Sequence, residues 1–182
     1  MIFTPTQLKG AYLVDLNKLE DERGFFARSW CFREATELGI DPKVVQCNIS
    51  FNKVKGTLRG MHLQFPPFAE SKLVRATRGS IYDVIIDLRP DSETFKQWVG
   101  MELTAENRRA LFVPKGFAHG FQTLEDNTEI FYQMSEFYTP ECALGVRWND
   151  PAFNISWPLE VSEISPKDLV LADFDPKDFR AR

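Results

Sequence analysis

Residues 81–89 alternate strictly. Tyr82, Val84, Ile86 and Leu88 fall on one face, and Ile81, Asp83, Ile85, Asp87 and Arg89 on the other. A period of two is the signature of a β-strand. Gly79 marks a turn before it, and Pro90-Asp91 a turn after it. The same habit recurs. Glu129–Met134 puts Ile130, Tyr132 and Met134 on one face, and Leu111-Phe112-Val113 ends at Pro114-Lys115-Gly116. Only Trp30–Leu38 reads as a helix, with Gly39 as its C-terminal stop. Thr104 is placed to cap one further helical turn. Many short strands with one or two short helices predict an all-β sandwich or barrel. Sixteen Phe suit a core of packed aromatic strands. A strand face that carries Asp inward predicts a barrel with a wet, functional interior.

The chain has 182 residues, the size of one domain or two very small ones. It can bury roughly 70% of the surface its unfolded form exposes, so it needs no disulfide or metal staple. The pattern turns polar and Pro-punctuated near residue 158. The expectation is therefore a single domain over 1–182, with 159–182 as a C-terminal extension. The net charge of −4 does not suggest a nucleic-acid-coating surface. No apolar run approaches the roughly 20 residues of a membrane helix, and MIFTPTQLKG lacks the plan of a signal peptide. Three Cys without a CxxC pair fit free thiols in a reducing compartment, so the expected location is the cytoplasm. With only two His, a three-His metal site is impossible in one chain.

Those two His sit in informative surroundings. Gly56-Thr57-Leu58-Arg59-Gly60-Met61-His62-Leu63-Gln64 and Pro114-Lys115-Gly116-Phe117-Ala118-His119 resemble the two half-motifs of the cupin superfamily. Gln64 stands where a metal cupin carries its second His, so a metal-free member is expected. Further elements resemble one cupin family in order and spacing. They are Asp21-Glu22-Arg23-Gly24-Phe25-Phe26, Gln46-Cys47-Asn48-Ile49-Ser50, Lys72-Leu73-Val74, Asp83 through Phe95, Gly116 through Phe121, Asp150-Pro151 and Trp157-Pro158. The family is the dTDP-4-dehydrorhamnose 3,5-epimerases, and the resemblance covers nearly the whole chain. It implies a cupin-type jelly-roll barrel that works as a homodimer without cofactor or metal.

The family inverts the carbons beside a C4 ketone in a nucleotide-linked 6-deoxyhexose. Such chemistry needs a base, a cation or donor at the carbonyl oxygen, and an acid on the opposite face. The resemblance implies His62 as base, Lys72 as the cation that steadies the enolate, and Tyr132 as acid. Asp168, in Ser165-Pro166-Lys167-Asp168, resembles the carboxylate that pairs with the base, and Asp83 is the rival partner. Arg23 and Arg59 match residues that grip the diphosphate, for which guanidinium forks are suited. Phe26, Gln46, Asn48, His119, Tyr138 and Lys167 match other substrate contacts. Two positions depart from the family pattern. Arg28 and Ala143 stand where it usually carries Glu. Epimerase chemistry is thus better supported than the dTDP carrier. Alternatives are a C3-only epimerase or a ketoisomerase on another nucleotide sugar, or a non-catalytic sugar-nucleotide-binding cupin.

Overall fold

The computed structural model describes residues 1–177. The last five residues of the expected 159–182 extension lie outside the described residues. Strands dominate. They are β1 (Ile2–Pro5), β2 (Tyr12–Asp15), β3 (Leu19–Asp21), β4 (Gly24–Phe26), β5 (Gln46–Asn52), β6 (Thr57–Gln64) and β7 (Lys72–Arg78). There follow β8 (Ser80–Asp87), β9 (Trp98–Thr104), β10 (Ala110–Val113), β11 (Phe117–Thr123), β12 (Thr128–Met134), β13 (Ala143–Gly145) and β14 (Glu163–Ile164). Two short helices, α1 (Phe32–Glu37) and α2 (Pro166–Leu169), lie among the described residues.

Two sheets face each other as a jelly roll. One has the order β1-β2-β10-β7-β12-β5, and the other β13-β6-β11-β8-β9 with β14 added in parallel to β6. Between them lies a core of Val74, Leu111, Val113 and Ile130 from the first sheet, packed with Ile81, Ile85, Leu103, Phe117 and Phe121 from the second. The outer face of the second sheet is covered as well. Met61, Leu63, Val84, Ile86 and Ala118 meet Val146 and Phe153, with Trp157 and Phe174 packed alongside. Double coverage explains why β8 is apolar on both faces. On the first sheet, Val14, Leu73, Ala110 and Phe112 are covered by Ala35 of α1 and by Ile40.

The helix α1 is shorter at both ends than the expected 30–38. Cys31 is extended at its N-terminus and offers no side-chain cap, so Trp30 stays outside the helix. Gly39 does take the positive φ of a C-terminal stop, at 69°. The helical turn expected after Thr104 is not formed. Thr104 ends β9, and residues 105–107 make a tight turn in which Thr104 Oγ1 accepts from Asn107 N at 2.8 Å. Arg108 then takes a φ of 58°, which a continuing helix forbids. The cap chemistry was present, and the chain turned into a strand connection instead.

The segment beyond residue 158 is woven into the second sheet. Glu163 pairs with Thr57 and Ile164 with Leu58. Ser165 then caps α2 by accepting from Asp168 N at 3.1 Å, with Pro166 in the first turn. This places Asp168 beneath β6. Among the described residues no helix is long and apolar enough to cross a membrane.

Candidate active site

A hollow of about 680 Å³ lies between the sheets. It takes its walls from β5, β6, β7, β11, β12, β13 and α2. A strand alternates, so Arg59 and His62, three apart on β6, would face opposite ways. Both nevertheless line the cavity. The cause is a β-bulge. His119 pairs with His62 and Phe121 with Arg59, which is two steps along β11 against three along β6. The extra residue resets the parity. Gly60 makes this possible. Its φ is 124°, and a Cβ there would stand 2.6 Å from Gly120 Cα.

His62 is half exposed into the cavity, and its Nε2 lies 2.7 Å from Asp168 Oδ1. A carboxylate only accepts, so in the neutral ring Nε2 carries the proton and Nδ1 keeps the lone pair. Gly60 N also donates to Asp168, at 3.3 Å to Oδ2. Burial pushes the Asp168 carboxyl up. The hydrogen bond from His62, its charge and the Gly60 N–H outweigh that and hold it below its ordinary value. Asp83 is not the partner of His62. It bonds the other histidine, with His119 Nε2 at 2.8 Å from Asp83 Oδ1.

Lys72 opens β7 and is almost wholly buried, yet it lines the cavity. Its Nζ lies 3.0 Å from Glu70 and 3.5 Å from the His62 carbonyl. Tyr132 enters from β12. Burial pushes its phenol up, Arg59 opposes that and Glu70 adds to it, and the net value is raised. The phenol therefore stays protonated beyond the usual tyrosine range of about 10.

The remaining wall is polar and cross-linked. Gln46 Nε2 donates to Asn48 Oδ1 at 3.1 Å, and Arg59 Nε donates to Asn52 Oδ1 at 2.7 Å. His119, Tyr138, Lys167 and Ala143 also line it. Gln64 is buried and fully engaged. It donates to the carbonyls of Phe68 and Phe137 and accepts from Thr139 N at 2.6 Å, which pins the loop that carries Tyr138. Among the described residues no group of three or more His, Cys, Asp or Glu is arranged to hold a metal.

Two expected contacts do not reach this cavity within one chain. Arg23 sits in the β3–β4 hairpin with its side chain 89% exposed, paired to Asp21. Phe26, also exposed, lines a separate hollow with Met1, Asn17, Arg28 and Glu34. Arg28 there pairs with Glu34 at 2.8 Å. Ser50 and Glu70 are among the lining residues that escaped the sequence reading. Ser50 continues the alternation of Gln46 and Asn48, and Glu70 is two residues before Lys72. That spacing of two is the signal that could have found both.

The comparisons with known proteins match nearly the whole chain. The family model described as dTDP-4-dehydrorhamnose 3,5-epimerase matches residues 5–175. The dTDP-4-dehydrorhamnose 3,5-epimerase of Methanothermobacter thermautotrophicus is 42% identical over 175 residues, covering 95% of this chain and 90% of that protein. The crystal structure of the enzyme from Elizabethkingia anophelis superposes with a TM-score of 0.93 at 39% identity, covering 98% of this chain and 97% of that one. The Bacillus anthracis enzyme, solved with TDP and PPi bound, gives 0.91 at 43% identity, over 95% of this chain and 99% of that one.

Proposed function

The chain belongs to the dTDP-4-dehydrorhamnose 3,5-epimerase family, and from that premise we propose that it inverts C3 and C5 of a dTDP-linked 4-keto-6-deoxyhexose by proton transfer in the cavity between its sheets. One observation carries the reading. A carboxylate-backed imidazole, a buried ammonium and a protonated phenol all line one hollow.

His62 removes the proton α to the ketone through Nδ1. Asp168 keeps the ring in the required tautomer and steadies the imidazolium that forms. Lys72 stands at the carbonyl oxygen, where negative charge develops in the enolate. Tyr132 returns a proton to the opposite face. None of these steps draws on a metal or an organic cofactor. Arg59, Gln46, Asn48, His119, Tyr138 and Lys167 hold the nucleotide and sugar. Ala143 places a methyl group on the wall where the family pattern has an acid, which alters recognition there and not the proton relay.

We infer that the working unit is a homodimer. Phe25, Phe26, Phe32, Ile49, Phe51 and Val54 are all exposed, large apolar side chains of the kind that interfaces cover. A second copy would cover them and give Arg23 and Phe26 a role beside the cavity. Three free thiols favour a reducing compartment, the cytoplasm.

The experiment is incubation with dTDP-4-keto-6-deoxyglucose in deuterated water, followed by NMR of the sugar. Deuterium at both C3 and C5, with the L-configured product, supports the reading. Deuterium at C3 alone reduces it to a 3-epimerase. Binding without any exchange overturns it in favour of a sugar-nucleotide-binding protein.

A further inference from the structure

Lys72 does not stand alone in the cavity wall. Glu70, two residues earlier, lines the same hollow with its side chain only 6% exposed. One oxygen, Oε1, is 3.0 Å from Lys72 Nζ. The other, Oε2, is buried without a hydrogen-bond partner. Among the described residues only Asp83 Oδ2 and Arg147 Nε share that condition, and neither residue lines the cavity. A carboxylate oxygen without a hydrogen-bond partner is costly to bury, so such an atom calls for an explanation. A bound ligand supplies one.

The chemistry of that ligand follows from the pair. A carboxylate oxygen only accepts, so whatever meets Oε2 is a donor. The adjacent ammonium only donates, so whatever meets Lys72 is an acceptor. Acceptor and donor are neighbours, because Oε2 belongs to the carboxylate whose Oε1 meets the ammonium. A ketone with a hydroxyl on the neighbouring carbon has that pattern. In a 4-keto-6-deoxyhexose only C3 offers it, because C5 carries the ring oxygen and a methyl group. We propose that Glu70 is a specificity-determining residue whose unpartnered carboxylate oxygen turns to accept a hydrogen bond from the sugar hydroxyl at C3 while its other oxygen holds Lys72 toward the ketone. The inference rests on the epimerase reading of this site and deepens it. It assigns Glu70 no part in charge stabilisation, since a carboxylate beside a developing enolate opposes it. Its work is to fix which edge of the sugar faces Lys72.

The test compares two substrates and three proteins. The substrates are dTDP-4-keto-6-deoxyglucose and its 3-deoxy analogue. The proteins are the wild type, Glu70→Gln and Glu70→Ala. The readout is kcat/KM for solvent deuterium entering C5, which both substrates carry, with the melting temperature alongside. The wild type should prefer the hydroxylated substrate by about 10- to 150-fold, the range for a hydrogen bond to a charged group. Glu70→Ala should bring the preference to within about twofold, mainly by slowing the hydroxylated substrate. Glu70→Gln keeps the shape and a neutral acceptor, so it should fall between. An unchanged preference in a folded Glu70→Gln, or an equal loss on both substrates, overturns the proposal and leaves Glu70 a structural partner of Lys72. No exchange by the wild type on either substrate overturns the epimerase reading itself, and the proposal with it.

Discussion

Replacing Asp168 by Asn separates the charge behind His62 from its geometry. Asp168 Oδ1 lies 2.7 Å from His62 Nε2, and its side chain is only 7% exposed. Asn has the same size, and its oxygen can still accept the Nε2 proton, so the tautomer with a free Nδ1 survives. What disappears is the negative charge that steadies the imidazolium as the proton leaves the sugar. A hydrogen bond to a charged partner contributes about 1.5–3 kcal/mol, and 1.36 kcal/mol is tenfold in rate. The expected loss in kcat is therefore about 10- to 150-fold, with KM changed by less than about threefold. Stability should fall too. With the amide oxygen on His62, the amide nitrogen faces Gly60 N, donor against donor, where the carboxylate accepted at 3.3 Å. That mismatch costs about 1 kcal/mol. The assay is deuterium wash-in at C3 and C5 by NMR, beside a urea melt. Wash-in within twofold of the wild type would refute the assignment of Asp168 as the charge behind the base.

The same variant carries a pH prediction. The Asp168 carboxyl is held below its ordinary value, so its contribution to stability is complete above about pH 4 and fades as pH falls through the lower folded value. The stability gap between wild type and Asp168→Asn should be wide at pH 5 and narrow towards pH 2; an equal gap at both ends contradicts the cause given for the shift. Arg59→Ala should raise KM by about tenfold or more while kcat changes little, because it removes a charged grip on the diphosphate. An unchanged KM would make Arg59 only the partner of Asn52. Activity should persist through exhaustive EDTA treatment, and a loss that Fe²⁺, Mn²⁺ or Zn²⁺ restores would contradict the proton relay as drawn.

Much of the architecture was legible where the physics is local. The alternation of residues 81–89 and 129–134 and the turn at Pro114-Lys115-Gly116 all mark strands that the sheets contain. The jelly roll followed from the family resemblance, because strand order depends on pairings far apart in sequence. The helical turn after Thr104 was misread because its cap chemistry serves a tight turn equally well. The site was legible in its residue types and not in its parity. Alternation alone separates Arg59 from His62, and only the bulge at Gly60, paired across to Gly120, puts both on one wall. The choice between Asp83 and Asp168 could not be made from sequence either. Asp83 lies on a strand beside His119, whereas Asp168 comes from a polar segment that becomes structural only when β14 docks on β6. Glu70 was passed over for a plainer reason, since a carboxylate beside a lysine ordinarily reads as a solvated pair.

Inversion requires a proton to leave one face of the sugar and another to arrive on the opposite face. Tyr132→Phe keeps the ring packed between the sheets and removes only the phenolic proton. The measurement is NMR of dTDP-4-keto-6-deoxyglucose incubated with this variant in deuterated water, following isotope content and configuration together. The account predicts that deuterium still enters through His62 while inverted product falls to a small fraction of the wild-type amount. Inverted sugar formed at the wild-type rate would contradict it, leave Tyr132 a core aromatic, and move the role of acid to Tyr138 or a bound water.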